Sequence, residues 1–258
     1  MHRMDLWPGD IPAAADDFRP YLELYSAAVD KPAGAVIIFP GGGYSHRADH
    51  EGQPVAEFFN RKGIHAVVVH YRVAPAKHPA PLLDAARAVR IVRSNAEKWH
   101  ILADKIAVCG FSAGGHLAAS IGVLHHEANA IEDNLLSISA RPDGLILCYP
   151  VISSGEFAHT GSFDYLVGAD ALLREQLSLE KCVTGDTPPT FLWHTADDAS
   201  VPVENSFLFS QALRRYQVPF SLHVFPHGHH GLGLALDNRD IAVWPELCVN
   251  WLKQMNWG

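Results

Sequence analysis

The stretch Gly110-Phe111-Ser112-Ala113-Gly114 carries the densest chemistry in the chain. It has the G-x-S-x-G spacing of a nucleophile elbow, placed between an apolar run at 105–109 and an Ala-rich segment at 113–125. A serine at a sharp strand-to-helix turn stands clear of the sheet, and glycines two residues to either side let neighbouring backbone approach closely. A helix N-terminus beneath it favours developing negative charge. Such a serine needs a base to take its proton and an acid to orient that base. His194-Thr195-Ala196-Asp197-Asp198 supplies two adjacent carboxylates, and Pro226-His227-Gly228-His229-His230 supplies three imidazoles. Upstream, Pro40-Gly41-Gly42-Gly43-Tyr44 follows another apolar run. Glycine backbone there can aim N–H groups at an oxyanion with no side chain in the way.

Two rival chemistries fit the same residues less well. G-G-G-Y-S is not G-x-G-x-x-G, and no acidic residue ends the next strand, so a dinucleotide loop is not expected. The His227, His229 and His230 cluster has ligand types for a metal, but no H-E-x-x-H or similar helix motif accompanies it. The expectation is a site with no metal and no cofactor.

The elements that must hold these groups alternate along the chain. Strands are predicted at 21–26, 35–39, 64–70, 105–109, 143–149, 190–195 and 220–225, and helices at 53–62, 81–98, 113–125, 203–217 and 240–254. The middle five strands are nearly continuous in Val, Ile, Leu and Phe, the pattern of strands buried on both faces. Such alternation implies a mostly parallel sheet with helices on both faces. The connection between the first two strands is too short for a parallel crossover, which predicts that they pair antiparallel. Residues 151–188 break the rhythm with many Gly, Ser, Thr and Asp and a short helical pattern near 170–179. They read as an insertion near the site within a single domain spanning 1–258.

GFSAGGHLAAS, together with FPGGGY, YRVAP and HPAPLLDAARAVRIVRSNA, resembles the α/β-hydrolase superfamily. Within it the chain is similar to small esterases grouped with carbohydrate acetyl esterases and acetylxylan esterases, over roughly residues 33–236. The resemblance implies an α/β-hydrolase fold with about eight strands and a triad in the order Ser, acid, His. The superfamily's usual register places the acid four residues after His194 and three before Val201-Pro202, which selects Asp198 and leaves Asp197 as a turn or capping residue. A histidine followed by Gly, an apolar residue and Gly fits His230, with His229 as runner-up. Related esterases carry His-Gly-Gly-Gly where this chain has Pro40 in place of the histidine. The oxyanion donors implied are the N–H of Ala113 with one or two of Gly42, Gly43 and Tyr44. The implied substrate is a short acyl ester, acetyl on a sugar or xylo-oligosaccharide, cleaved through an acyl-serine intermediate at catalytic Ser112, His230 and Asp198. A serine peptidase or aminoacyl hydrolase could use the same triad. A lipase would want a longer apolar lid than 151–188 supplies.

Composition bounds the remaining classes. Of 258 residues 48% are hydrophobic and 19% charged, too apolar for bulk disorder. Twenty-eight acidic against 20 basic residues leave a net charge of −8, which argues against nucleic-acid or anionic-membrane partners. Cys109, Cys148, Cys182 and Cys248 form no C-x-x-C pair. Asp5, Pro8, Gly9 and Asp10 interrupt any signal-like stretch, and a cytoplasmic protein is expected. Glu51 is read either as a brace for the glycine loop or as a helix cap, Arg72 as an ion-pair partner for Asp84, and Trp193 and Trp244 as core or wall residues.

Overall fold

The computed structural model describes residues 2–129 and 133–257. The strands are β1 (His2–Asp5), β2 (Tyr21–Tyr25), β3 (Ala33–Phe39), β4 (His65–His70), β5 (Ile101–Phe111), β6 (Gly144–Cys148), β7 (Thr190–Thr195) and β8 (Phe220–Phe225). They form one eight-stranded sheet in the order β1-β2-β4-β3-β5-β6-β7-β8. From β4 to β8 every pairing is parallel, and β1 and β2 close one edge antiparallel.

The buried strands sort their side chains by parity. Ile37, Phe39, Val67, Val69, Val108, Leu145 and Leu147 join one core cluster, and Val36, Ile38, Val68, Cys109, Ile146 and Cys148 join the other. Helices α2 (Ala80–Ser94), α3 (Ala113–Val123) and α6 (Glu204–Arg215) give their apolar residues to the first cluster. Helices α1 (Gln53–Arg61) and α7 (Trp244–Gln254) cover the other face. Every residue of α3 is buried, which its Ala, Gly, Leu and Ile content permits. Among the described residues no helix is long and apolar enough to cross a membrane.

The expected antiparallel pairing of the first two predicted strands is incorrect. Strand β2 pairs with β4, Tyr21 opposite His70 and Tyr25 opposite Ala66, and never touches β3 as a ladder partner. Both sides of β3 are already taken, by β4 and β5. Strands lie about 4.8 Å apart, so a short loop can step across one of them. The loop after β2 does so at the start of β4, where Ala27 N donates to His65 Nδ1.

Element ends also shift for local reasons. Strand β5 begins at Ile101, before exposed Ala103 and Asp104 hide its pattern. Helix α2 stops at Ser94, where Asn95 caps the last turn by donating Nδ2 to Ile91 O at 2.9 Å. Helix α7 starts at Trp244 because Pro245 fits only a first turn. Strand β1 carries no apolar pattern to announce it, being short, polar and largely exposed. Between β6 and β7 lie α4 (Thr160–Leu166), unpredicted, and α5 (Ala171–Gln176), within the expected helical stretch. The Thr-Gly-Ser start of α4 is a poor helix former, and His159 compensates by accepting the Ser162 N–H.

Candidate active site

Ser112 sits between β5 and α3 with φ 53° and ψ −118°, a strained geometry for a residue with a Cβ. The glycines around it are required sterically. A Cβ on Gly110 would strike the Gly114 carbonyl, and one on Gly114 would strike the Phe39 and Pro40 carbonyls. The end of β6 ties the turn down: Ser112 N donates to Cys148 O and Val151 N donates to Ser112 O, both at 3.0 Å.

The loops after β7 and β8 bring Asp198 and His230 to this serine. His230 Nε2 lies 2.7 Å from Ser112 Oγ, and His230 Nδ1 lies 2.7 Å from Asp198 Oδ2. A carboxylate can only accept, so Nδ1 carries the hydrogen and Nε2 is left to accept the serine proton. The other Asp198 oxygen accepts the N–H groups of Ser200 and Val201, each at 2.9 Å. Burial pushes the Asp198 carboxyl up, but hydrogen bonds from His194, His230 and the Val201 N–H outweigh it and hold the group well below the ordinary carboxylate range. His194 is itself buried, with Nδ1 on Ser206 Oγ and Nε2 2.9 Å from Val201 O and 3.5 Å from Asp198 Oδ2.

The neighbours of these residues do other work. Asp197 is solvent-facing and accepts from Gly228 N at 2.8 Å and from His227 Nδ1 at 3.0 Å, so it fastens the histidine loop from outside. His229 turns Nδ1 onto His230 O and stays exposed. Among the described residues no group of three or more His, Cys, Asp or Glu side chains is arranged around a metal position.

The glycine loop packs directly on the elbow. A Cβ on Gly41 would lie 3.0 Å from Ser112 Cβ and 2.8 Å from Phe111 O. Gly42, Gly43 and Tyr44 follow with φ of 122°, 64° and 62°. The N–H groups of Gly42, Gly43 and Ala113 meet no protein acceptor among the described residues. Buried neighbours brace the start of this loop. Tyr71 Oη donates to Pro40 O at 2.6 Å, and Gly41 N donates to Glu51 Oε2 at 2.7 Å. Tyr44 Oη pairs with His116 Nδ1 at 2.9 Å, while His116 Nε2 reaches Leu177 O at 3.0 Å. Burial drives the His116 pKa down to about 4, so the neutral ring accepts from Tyr44.

Glu51 is therefore the brace rather than a cap, and Tyr149, which the sequence did not single out, completes it. Tyr149 Oη donates to Glu51 Oε1 at 2.6 Å and accepts from Gly233 N at 2.8 Å. Its only sequence signal was a polar-tipped aromatic closing an apolar strand. Arg72 and Asp84 pair as expected, Nη2 to Oδ1 at 2.8 Å with both side chains buried. Trp193 and Trp244 stack within the core, 5.1 Å between centroids.

The cleft above Ser112 encloses about 360 Å³ between Gly42, Ser45, His46, His159, Tyr165 and His230. Tyr165, on α4, is 48% exposed at this cleft. A larger cavity of about 500 Å³ lies beyond the glycine loop, sharing Ala48 and His50 with the cleft but containing no nucleophile.

The same architecture recurs in solved proteins. An acetyl ester-xyloside bifunctional hydrolase from Caldicellulosiruptor lactoaceticus superimposes with a TM-score of 0.94 at 48% identity, covering 99% of this chain and 97% of that one. With the elbow and sheet order described above, this settles the family. The chain belongs to the α/β-hydrolase superfamily. Residues 22–145 of this α/β hydrolase match the BD-FAE family, and residues 169–256 match the prolyl oligopeptidase family. The latter match spans the loops that carry Asp198 and His230. An endo-1,4-beta-xylanase B from Butyrivibrio fibrisolvens is 42% identical over 87% of this chain and 36% of its own length. An acetylxylan esterase from Xylanibacter ruminicola is 34% identical over 88% of this chain and 47% of its own length. The chain thus spans less than half of these two curated relatives.

Proposed function

We propose that this α/β hydrolase is a serine esterase that removes short acyl groups, acetyl foremost, from acetylated sugars or xylo-oligosaccharides. The observation that carries the reading is the unbroken hydrogen-bond chain from Asp198 through His230 to Ser112, opening beside three unpaired N–H groups. In this mechanism Ser112 Oγ attacks the ester carbonyl as His230 Nε2 takes its proton. Asp198 keeps the imidazole in one tautomer and stabilises the imidazolium. The N–H of Ala113, with Gly42 or Gly43, receives the oxyanion, a contact typically worth about 3 kcal/mol per donor. His230 then protonates the leaving alcohol, and a water activated by the same imidazole releases the acid from the acyl-serine.

Cleft chemistry supports the substrate class. Ser45, His46, His159 and Ser200 share its lining with glycines, Ala48 and Tyr165, and no large aliphatic side chain stands there to bury a long acyl chain. Tyr165 offers the exposed aromatic face on which a sugar ring can rest. The similar acetyl ester-xyloside hydrolase and acetylxylan esterase act in the same chemical territory by their names. The test is acetate release from acetylated xylo-oligosaccharides beside a p-nitrophenyl ester series and an amide analogue. Acetate release with an inert amide supports the reading. Faster cleavage of the amide than of any ester would replace it with a peptidase.

A further inference from the structure

The two loops that flank Ser112 come from opposite ends of the sequence, yet one buried thread joins them. It runs from Gly41 N to Glu51 Oε2, from Glu51 Oε1 to Tyr149 Oη, and from Tyr149 Oη to Gly233 N, with steps of 2.7, 2.6 and 2.8 Å. Gly41 precedes the candidate oxyanion donors, and Gly233 lies three residues beyond His230. Glu51 is 2% exposed and Tyr149 is 1% exposed, so water does not compete for these bonds. The Tyr149 ring also stands edge-on to His230, 4.9 Å between centroids, and against Trp193 at 4.9 Å. Trp244 Nε1 completes the far end by donating to Gly233 O at 3.0 Å.

We infer that Glu51 and Tyr149 are positioning residues that lock the oxyanion loop and the histidine loop into one mutual register. This rests on the esterase reading above. The physical need is specific. Gly42, Gly43 and Tyr44 take three consecutive positive φ values, a backbone path with no helix or strand ladder to maintain it. Turning one peptide plane there would point an N–H away from the oxyanion. The loop is also held by Tyr71 Oη on Pro40 O, Ala48 N on Gly41 O, Tyr44 Oη on His116 and Ala74 N on Tyr44 O, but the Gly41 N–H, directly before the candidate donors, is fixed by Glu51. Both Glu51 oxygens accept, and Tyr149 is held as a neutral donor because burial and then the Glu51 charge raise its pKa well above the ordinary phenol value. A tie between the two loops matters to rate because donor and base must meet the same carbonyl at once. A second, exposed link runs from His50 Nε2 to Gly231 O, where water can replace it.

Tyr149→Phe tests this, because the ring keeps its packing on His230 and Trp193 while the thread is cut. The expected result with p-nitrophenyl acetate is a kcat lower by about tenfold, with KM within about twofold. A reversible trifluoromethyl ketone, which forms an oxyanion on the serine, should lose affinity by the same factor. Glu51→Gln should act alike, and the double variant should be no slower than the slower single one, since the thread is cut only once. Should Glu51→Gln fail to fold, Tyr149→Phe decides alone. Wild-type kcat and ketone affinity in Tyr149→Phe would overturn the inference, as would a kcat loss with unchanged ketone affinity, or losses that multiply in the double variant. Wild-type turnover that vanishes in Ser112→Ala, with Tyr149→Phe unaffected, would sink this inference and leave the esterase reading standing. A wild-type protein inert towards every ester would remove both.

Discussion

His230 Nε2 and Ser112 Oγ lie 2.7 Å apart although 118 positions separate them in the chain. Two β-strand ends create that meeting. Ser112 rides the turn out of β5, and His230 hangs from the loop after β8, three strands away in the sheet. The separation is bridged because parallel strands deliver all their carboxyl ends to one edge, where loops of different length can converge.

Ser112→Ala should lower kcat for p-nitrophenyl acetate by at least about 10³ while the urea midpoint stays near that of the parent chain. Mass spectrometry after phenylmethylsulfonyl fluoride should find one adduct, on Ser112. A label on another residue, or an active alanine variant, would end the assignment.

The two adjacent pairs should separate cleanly. Asp198→Asn and His230→Ala should each lose at least about 10³ in kcat. His229→Ala should keep most activity, because its ring reaches only a backbone carbonyl. Asp197→Ala should lose a few-fold by loosening Gly228 and His227. Steady-state kinetics of the four variants settles this, and a reversed ranking would move the register by one.

Acyl chain length should count against the substrate. Each methylene buried in an apolar tunnel is worth about 0.8 kcal/mol, and the cleft lining has no large aliphatic side chain to form one. Acetate esters should therefore exceed octanoate by at least about tenfold in kcat/KM. Equal rates across the series would refute the short-acyl preference.

Tyr165→Ala should raise KM for acetylated xylo-oligosaccharides several-fold and leave p-nitrophenyl acetate nearly untouched, since only the sugar needs the exposed ring. Equal loss on both substrates would mean that Tyr165 shapes the cleft rather than holding the sugar.

Acid should weaken the fold through His116. Its folded pKa, lowered by burial to about 4, lies under the unfolded value near 6.5, so the unfolded chain takes up the proton first as pH falls. Stability therefore declines between about pH 6.5 and 4, by as much as about 3 kcal/mol from this group. His65, His78 and His159, also lowered by burial, act in the same direction. Urea unfolding at pH 7 and pH 4.5 should show the decline, and His116→Asn should flatten it. An unchanged slope in that variant would show that His116 is not its source.

Much of this arrangement was readable from residue pattern because each clue was local. The elbow needs glycines where a Cβ would strike a carbonyl, so Gly110 and Gly114, set between an apolar run and an Ala-rich segment, mark it. Runs such as Ala35–Phe39 are apolar at every position because both faces of the strand are covered. What escaped depends on partners distant in sequence. Whether β2 lies beside β3 or β4 is decided by competition for β3's edges, which no short window contains. Tyr149 reads as one more core aromatic until Glu51, 98 positions away, is placed against its hydroxyl. The exposure of Tyr165 is likewise a property of the packed chain.

The Arg72–Asp84 pair has a consequence for the chain as it is being made. Asp84 accepts from Trp7 Nε1, and Arg72 holds the carbonyls of Pro12 and Ala13, so the leading residues are fastened by partners that are translated much later. Trp7 and Asp84 are 77 positions apart. At about 5–20 residues per second, that is a wait of roughly 4–15 s on the ribosome. Strand β2 likewise waits for β4, its ladder partner. Until β4 emerges, β2 can pair with β1 but the side that will face β4 keeps its hydrogen-bonding groups unpaired, the state in which strands are most prone to join other chains. The charged and polar residues of β1, His2, Arg3 and Asp5, are suited to keeping such an edge soluble until its anchors arrive.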